Sequence, residues 1–412
     1  MAFDIAITGM GALTPLGAGV DSMWQGLLAG KSGIDRITIF DPSSFPCQIA
    51  GEVPDFDPAA AVGSRLARRT DRYVQFSIVA AKQALEDSGL EINDGLRDRV
   101  GVYIGSGIGG ITTFYEQTLV LKDRGHRRVS PFLIPMMIPN MASGQVAIEV
   151  GATGPNMAHV SACASGAHAI GEAAQAIARG DAVAMVAGGS EAAITPVGLA
   201  GFCQGRALST GSNDDPESAS RPFDALRDGF VPSEGAGVLI LEDMEFARSR
   251  GARIHARLTG YGASADAFHI TAPPDDGAGA VQSMERALAA AGVAASDVDY
   301  INAHGTSTPL GDIAETAAVK RVFGNGAGSI PISSTKSMLG HLIGAAGSTE
   351  AIICVKALQD GVVPPTTNYE NPDPKCDLDY VPGAARELRL ETVLSNSFGF
   401  GGQNSSLIFR SA

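Results

Sequence analysis

Apolar positions along the chain fall into short continuous runs separated by glycine turns, alternating with longer stretches that repeat every three to four residues. The first pattern predicts buried strands and the second helices packed on them. Residues 3–12 read as a strand, a helix follows around Asp21 to Gly30, and a Pro/Ser-rich loop region runs to about Pro58. A strong helix is predicted from Asp71 to Ser88, stopped by Gly89, and then a buried strand from Arg99 to Gly105. Val160-Ser-Ala-Cys163 reads as a further buried strand ending in an abrupt turn of small residues. The next helix, about Ala164 to Arg179, is Ala, Gly or Ile on nearly every face and stops at Gly180, which predicts a fully buried central helix.

The pattern then repeats. Strand His255 to Ala263 carries Thr-Gly-Tyr-Gly-Ala where the opening strand carries Thr-Gly-Met-Gly-Ala. A helix ending at Gly292 matches the one ending at Gly89, and strand Val298 to Asn302 matches strand Val100 to Gly105. Strand Ile330 to Ser333, a glycine-rich turn and helix Ser348 to Gln359 match the region around Val160, Cys163 and Glu172. A duplicated strand-helix-strand order predicts two similar α/β halves packed face to face, 1–250 and 251–412, with the long insertions in the first.

Composition narrows this picture. With 412 residues, 45% of them hydrophobic, the chain can bury a large core, and its 51 glycines imply many tight turns and close backbone contacts. Five cysteines, odd in number and without a C-x-x-C pair, suggest neither a disulfide framework nor a zinc site and fit a reducing cytoplasm. No signal-like N-terminus and no apolar run long enough to span a membrane is expected. A net charge of −14 argues against nucleic acid as the main partner. Two basic segments run against that balance: Arg65, Arg68, Arg69 and Arg72, and Lys122, Arg124, Arg127 and Arg128. On an acidic protein they are candidates for docking an anionic partner.

Candidate chemistry centres on Cys163 at the first turn of the buried helix. There the helix dipole and free N–H groups favour thiolate, which predicts a pKa below the ordinary ~8.5. Three later segments bring polar groups to glycine-rich strand ends: Asn302-Ala-His304-Gly-Thr-Ser-Thr308, Ser334-Thr-Lys336-Ser-Met-Leu-Gly-His341, and Ser395-Asn-Ser-Phe398-Gly-Phe400-Gly-Gly402. His168 lies five positions beyond Cys163, about 140° round a helix, and is assigned to packing. Gly105 to Gly110 formally matches the dinucleotide fingerprint G-x-G-x-x-G. It sits late in its half, however, and lacks the acidic residue that a ribose contact requires about twenty residues on.

Together these segments resemble the β-ketoacyl-[acyl carrier protein] synthases, specifically the elongating type II condensing enzymes of fatty acid synthesis, from residue 3 to residue 410. The resemblance implies the thiolase fold, two α-β-α-β-α layered halves, a homodimer, and an acyltransferase that needs no metal or redox cofactor. It assigns the acyl nucleophile to Cys163 and the oxyanion hole to the N–H groups of Cys163 and Phe400. Malonyl decarboxylation falls to His304 and His341, and Lys336, held by Glu350, is their electrostatic partner rather than a base. Thr306 and Thr308 match pantetheine contacts, while Ile108, Phe202 and Phe400 match the acyl tunnel. Arg65, Arg68, Arg69, Arg127, Arg128 and Arg206 match the surface that docks acyl carrier protein. A cation near Asn302, Glu350 and Asn396 is implied in some members.

Polyketide or polyene ketosynthases share these motifs and remain an alternative, with an NAD-binding oxidoreductase built on Gly105 to Gly110 a remote one. Gln403, Cys203-Gln204 and Pro232-Ser233 depart from the commonest family pattern. They bear on substrate preference more than on chemistry.

Overall fold

The computed structural model describes residues 3–412. Ten strands carry the architecture: β1 (Ile5–Thr14), β2 (Val100–Gly105), β3 (Asn156–Met157), β4 (Ala184–Glu191), β5 (Gly235–Asp243), β6 (Ala256–Ala265), β7 (Tyr300–Asn302), β8 (Ile332–Ser333), β9 (Thr392–Gly399) and β10 (Gln403–Arg410). Six helices cover them: α1 (Arg72–Ser88), α2 (Met141–Val150), α3 (Ser165–Ala178), α4 (Ala278–Ala291), α5 (Gly311–Phe323) and α6 (Ala346–Asp360).

The duplication read from the sequence is a duplication of topology. The strands follow the order β8-β7-β9-β10-β6-β1-β5-β4-β2-β3, with Gly17–Ala18 a short hairpin partner of β1. Outward from the centre, β1-β5-β4-β2-β3 and β6-β10-β9-β7-β8 have the same senses: two antiparallel pairings, then two parallel ones. The halves join where β1 pairs antiparallel with β6 over Ile5–Ile7. Helix α1 packs on β1 and β5, α4 packs on β6 and β10, and the central helices α3 and α6 each touch strands of both halves. The half-sheets therefore face one another across α3 and α6, the layered order expected. One apolar cluster spans the middle, joining Ile5 and Ile170 to Ile352, Leu258 and Phe409.

The repeated Thr-Gly-x-Gly has a steric cause. A Cβ on Gly9 or Gly11 would lie 2.1 or 2.0 Å from the Ala84 or Ala80 carbonyl oxygen of α1. On Gly260 or Gly262 it would lie 2.4 or 2.0 Å from the Ala287 or Ser283 carbonyl oxygen of α4. Each outer helix rests directly on the strand backbone, which only glycine permits. Asp71 caps α1 and Gly89 ends it in the left-handed conformation, as the sequence predicts.

One expectation fails. Val160 and Ser161 are not in a strand; β3 is two exposed residues further back, and Val160 is 54% exposed. As the last strand of the order, β3 has a neighbour on one side only among the described residues, and Val160 beyond it stays exposed while Ser161 and Cys163 are buried. The predicted strands at 298–302 and 330–333 shorten to β7 and β8.

Candidate active site

Cys163 stands on a single 3₁₀ turn, Ala162–Ala164, that feeds directly into α3. The turn is held by Ser165, whose hydroxyl donates to the Ala162 carbonyl (2.7 Å) and accepts from the Ser161 N–H (2.9 Å). Ala162 takes φ 51°, in the left-handed region. The end of β9 lies across this turn: a Cβ on Gly399 would sit 2.4 Å from the Ser161 carbonyl oxygen and 3.3 Å from the Cys163 nitrogen. That approach brings the Phe400 N–H, with the N–H of Cys163 itself, onto the Cys163 sulfur. Two backbone donors converging on one point can hold a developing negative charge.

The thiol is not the depressed one expected. Burial pushes it up to about 11, against the pull of Lys336 and the two N–H groups, and the nearby Glu191 charge adds to the rise. Cys163 is only 8% exposed, and desolvation outweighs the helix end.

His304 follows β7, its turn fixed by Glu315 of α5, which accepts from the N–H groups of His304 (2.9 Å) and Gly305 (2.7 Å). His341 is held by its backbone, which donates to the Val231 carbonyl (2.8 Å) and accepts from the Ser233 N–H (3.0 Å). One ligand-type atom each of Cys163, His304 and His341 lies within 4.8 Å of the others. His304 Nδ1 and both ring nitrogens of His341 are buried without a hydrogen-bond partner among the described residues. Burial, and then the Lys336 charge, hold both imidazoles well below 6.5, so they are neutral. Lys336 Nζ donates to the His304 carbonyl oxygen (2.6 Å) and to the Glu350 carboxylate. Burial raises Glu350 while Lys336 pulls it down.

Cys163, His304, His341, Thr306, Thr308 and Phe400 line one cavity. The two threonine hydroxyls are 3.1 Å apart on its wall, and Phe400, 37% exposed, stands at its edge. Ile108 and Phe202 do not line it. Phe202 touches it indirectly, packing edge-on to Phe230, which packs edge-on to His341. His168 bonds Ser161 and the Asn404 carbonyl, a packing role.

The Gly105–Gly110 turn spends its own donors: Gly107 and Ile108 N–H go to Glu191, Gly109 to Ser106 and Gly110 to Met137. No cradle remains there for a pyrophosphate. Arg65, Arg68, Arg69, Arg127, Arg128 and Arg206 are all exposed, and Arg69 lies over the Phe132 ring at 4.8 Å, which draws the two basic segments together. Arg72 is different, half-buried in a 2.6 Å pair with Glu234 and stacked on Phe76. Sequence reading missed Glu315 and Glu191. Their signal was an unanswered question: which acceptors serve the buried N–H groups of such turns.

The chain matches the family model of the Beta-ketoacyl synthase N-terminal domain over residues 2–247 and that of the C-terminal domain over 255–370. Two curated relatives named 3-oxoacyl-[acyl-carrier-protein] synthase 2 are similar along nearly their full length. The Synechocystis protein is 52% identical over 406 residues, 98% of this chain and 97% of its own. That of Coxiella burnetii is 54% identical over 404 residues, again 98% and 97%. Among solved structures, a beta-ketoacyl synthase from Burkholderia phymatum superposes with TM-score 0.92 at 37% identity, covering all of both chains. A type II polyketide ketosynthase in complex with its acyl-carrier protein gives 0.92 at 34%, again covering all of both. Two layered thiolase-type halves, a cysteine under two backbone N–H groups and two neutral histidines within its reach thus go with matches across both domains: the chain belongs to the β-ketoacyl synthase family.

Proposed function

We propose that the protein catalyses decarboxylative condensation of malonyl-[acyl carrier protein] with an acyl group on Cys163, giving the 3-oxoacyl carrier protein longer by two carbons, as in fatty acid elongation. The observation that carries this is the meeting of Cys163, its two N–H groups and two unpartnered neutral imidazoles in one cavity.

In the first step Cys163 sulfur attacks the acyl thioester. The carrier thiolate leaves with the proton from Cys163, and the N–H groups of Cys163 and Phe400 hold the oxyanion. In the second step the malonyl carboxylate departs as CO₂ and its electron pair becomes an enolate. Neutral His304 and His341 donate hydrogen bonds to the enolate oxygen, Lys336 adding positive charge behind them. The enolate carbon then attacks the acyl carbonyl and expels Cys163 as a thiolate, which takes a proton from water. Electrons and protons balance without a redox cofactor or a metal.

Thr306 and Thr308 are assigned to the amide groups of the pantetheine arm, a reading supported by their place on the cavity wall. The same reading assigns the acyl tunnel to Ile108 and Phe202, which lie outside the cavity that Cys163 lines. Asn302 Oδ1 and Glu350 Oε2 are buried oxygens without partners among the described residues, and Asn396 Oδ1 accepts from Ser406 (2.8 Å). That donor set fits a hard cation, which would supply positive charge beside Glu350.

The exposed arginines are the docking face for an acidic carrier protein. A homodimer is supported by the open edge of β3 and by Ile148, Met157 and Val160, large apolar side chains exposed on or near it. Five free cysteines support a cytoplasmic setting, and no helix among the described residues is long and apolar enough to cross a membrane. Fatty acid elongation is favoured over a polyketide pathway because the 52–54% relatives are named as 3-oxoacyl carrier protein synthases, whereas the polyketide ketosynthase is 34% identical.

Incubation with malonyl carrier protein and a ladder of acyl carrier proteins, read by mass spectrometry, tests this reading. It expects acyl-Cys163 and products longer by two carbons. An acyl adduct on Cys203 or Cys354 instead overturns it.

A further inference from the structure

Glu191 is a fully buried carboxylate that the chemistry above does not use. It ends β4, whose eight residues occupy in the first half the place that the eight residues of β9 occupy in the second. The turns that feed the central helices correspond in the same way. Ala162–Ala164 precedes α3 and Ile343–Ala345 precedes α6; both are 3₁₀ turns whose first residue is left-handed, φ 51° for Ala162 and 49° for Ile343. On this correspondence the counterpart of Cys163 is Gly344.

The two cradles are assembled crosswise. The end of β9 lies over the Cys163 turn, and the end of β4 lies over the Gly344 turn. In the first cradle the N–H groups of Cys163 and Phe400 face the Cys163 sulfur. In the second the Gly344 N–H donates to Glu191 Oε2 at 3.1 Å. The same carboxylate accepts from the Gly107 N–H (2.7 Å), the Ile108 N–H (3.3 Å) and the Ser106 hydroxyl (3.0 Å). There is no slack in this arrangement: a Cβ on Gly344 would fall 2.3 Å from the Gly107 nitrogen and 2.8 Å from Glu191 Oε2, and one on Gly107 3.0 Å from Ile343. Left-handed Ile343 is costly for a β-branched residue and persists only where its surroundings impose it.

We propose that Glu191 is a positioning residue: its carboxylate fills the duplicate of the oxyanion cradle and ties the Gly107–Ile108 turn to the Ile343–Ala345 turn that follows His341. The proposal rests on the condensation reading, with Ile108 on the acyl side and His341 on the malonyl side. One internal carboxyl group then makes the acyl wall and the decarboxylation histidine a single body. A seated acyl chain sets His341, and CO₂ release responds to what Cys163 carries.

The test compares Glu191→Gln and Glu191→Asp with wild type as full-length protein, using malonyl carrier protein and acyl carrier proteins of graded length. Acyl-Cys163 formation is read by mass spectrometry, and CO₂ release is measured with Cys163 free and acylated. Glu191→Gln keeps the volume but turns an amide toward backbone N–H donors, so one turn is released. Acylation is expected within a few-fold of wild type, while the stimulation of CO₂ release by a bound acyl chain falls about tenfold and its dependence on chain length flattens. Glu191→Asp, too short to reach both turns, shows the same split more weakly, and decides the matter should the Gln variant not fold. Stimulation within about twofold of wild type overturns the proposal. So does an equal loss of acylation and CO₂ release that tracks a lower melting temperature, which is a structural role only. If wild type forms no acyl-Cys163 and releases no CO₂, the condensation reading itself has failed, before any variant is made.

Discussion

The imidazoles of His304 and His341 stand edge to face, ring centroids 5.5 Å apart and planes at 85°, in a setting dry enough to keep both neutral. A folded pKa depressed below the free value means that the unfolded chain takes up these protons first, so on their account stability is lost only as pH falls through 6.5. Ring signals of both in ¹H–¹³C NMR are therefore expected not to titrate between about pH 8 and 6. An ordinary midpoint near 6.5 would show a protonated pair and remove the two neutral donors. His341→Ala is expected to slow CO₂ release by a factor of about 10² while leaving acyl-Cys163 formation in place.

Cys163 rests as a thiol. With its pKa at about 11, the thiolate fraction, and with it the rate of iodoacetamide labelling of this residue, rises about tenfold per pH unit from 7 to 9. Lys336→Met slows labelling further, because the ammonium favours the thiolate. A rate flat over that range would mean a resting ion. Cys163→Ala abolishes condensation and keeps the fold, since the change removes one atom.

Reversing Arg127 and Arg128 to Glu raises KM for carrier-protein substrates about tenfold or more and spares small thioester mimics, with added salt reproducing the effect on wild type. Equal loss on both substrate kinds would make these arginines structural, as Arg72 already is.

Ile108→Phe restricts usable primers to short acyl chains while malonyl decarboxylation continues. Each CH₂ that finds an apolar site contributes about 0.8 kcal/mol, whereas one that meets a ring forces a distortion. Measured with graded primers, the profile should move; long primers elongated at wild-type rates would place the tunnel elsewhere.

What the sequence made legible was whatever depends on backbone pattern. Thr8-Gly9-Met10-Gly11 and Thr259-Gly260-Tyr261-Gly262 announced the duplication because a helix resting on a strand tolerates no Cβ at those glycines. Cys163, His304, Lys336, His341 and Phe400 stood out because reactive groups on glycine-rich strand ends have few other uses. The electrostatics were not legible. Proximity of Cys163 to a helix end was visible, but the desolvation that outweighs it depends on what lies above the turn, namely Gly399 and Phe400 from 236 and 237 residues away (399 − 163 and 400 − 163). Arg72 looked like its neighbours because a charge run does not say which member turns inward to meet Glu234. Glu191 and Glu315 were silent for a related reason: an acidic residue at a strand end or on a helix reads as surface until the donors it serves are folded against it.

The central pair α3 and α6 has a consequence for how the molecule comes apart. Most of both helices is buried, and each is covered by strands from the opposite half as well as its own. Neither half can release its central helix to water without stripping the apolar face of the other. Denaturant should therefore meet one transition rather than two, steep for the chain's size, with tryptophan fluorescence from Trp24 and helical circular dichroism lost together. A fragment ending near residue 250 would carry Cys163 on a helix whose covering layer is missing, so solubility and acylation should vanish with the second half.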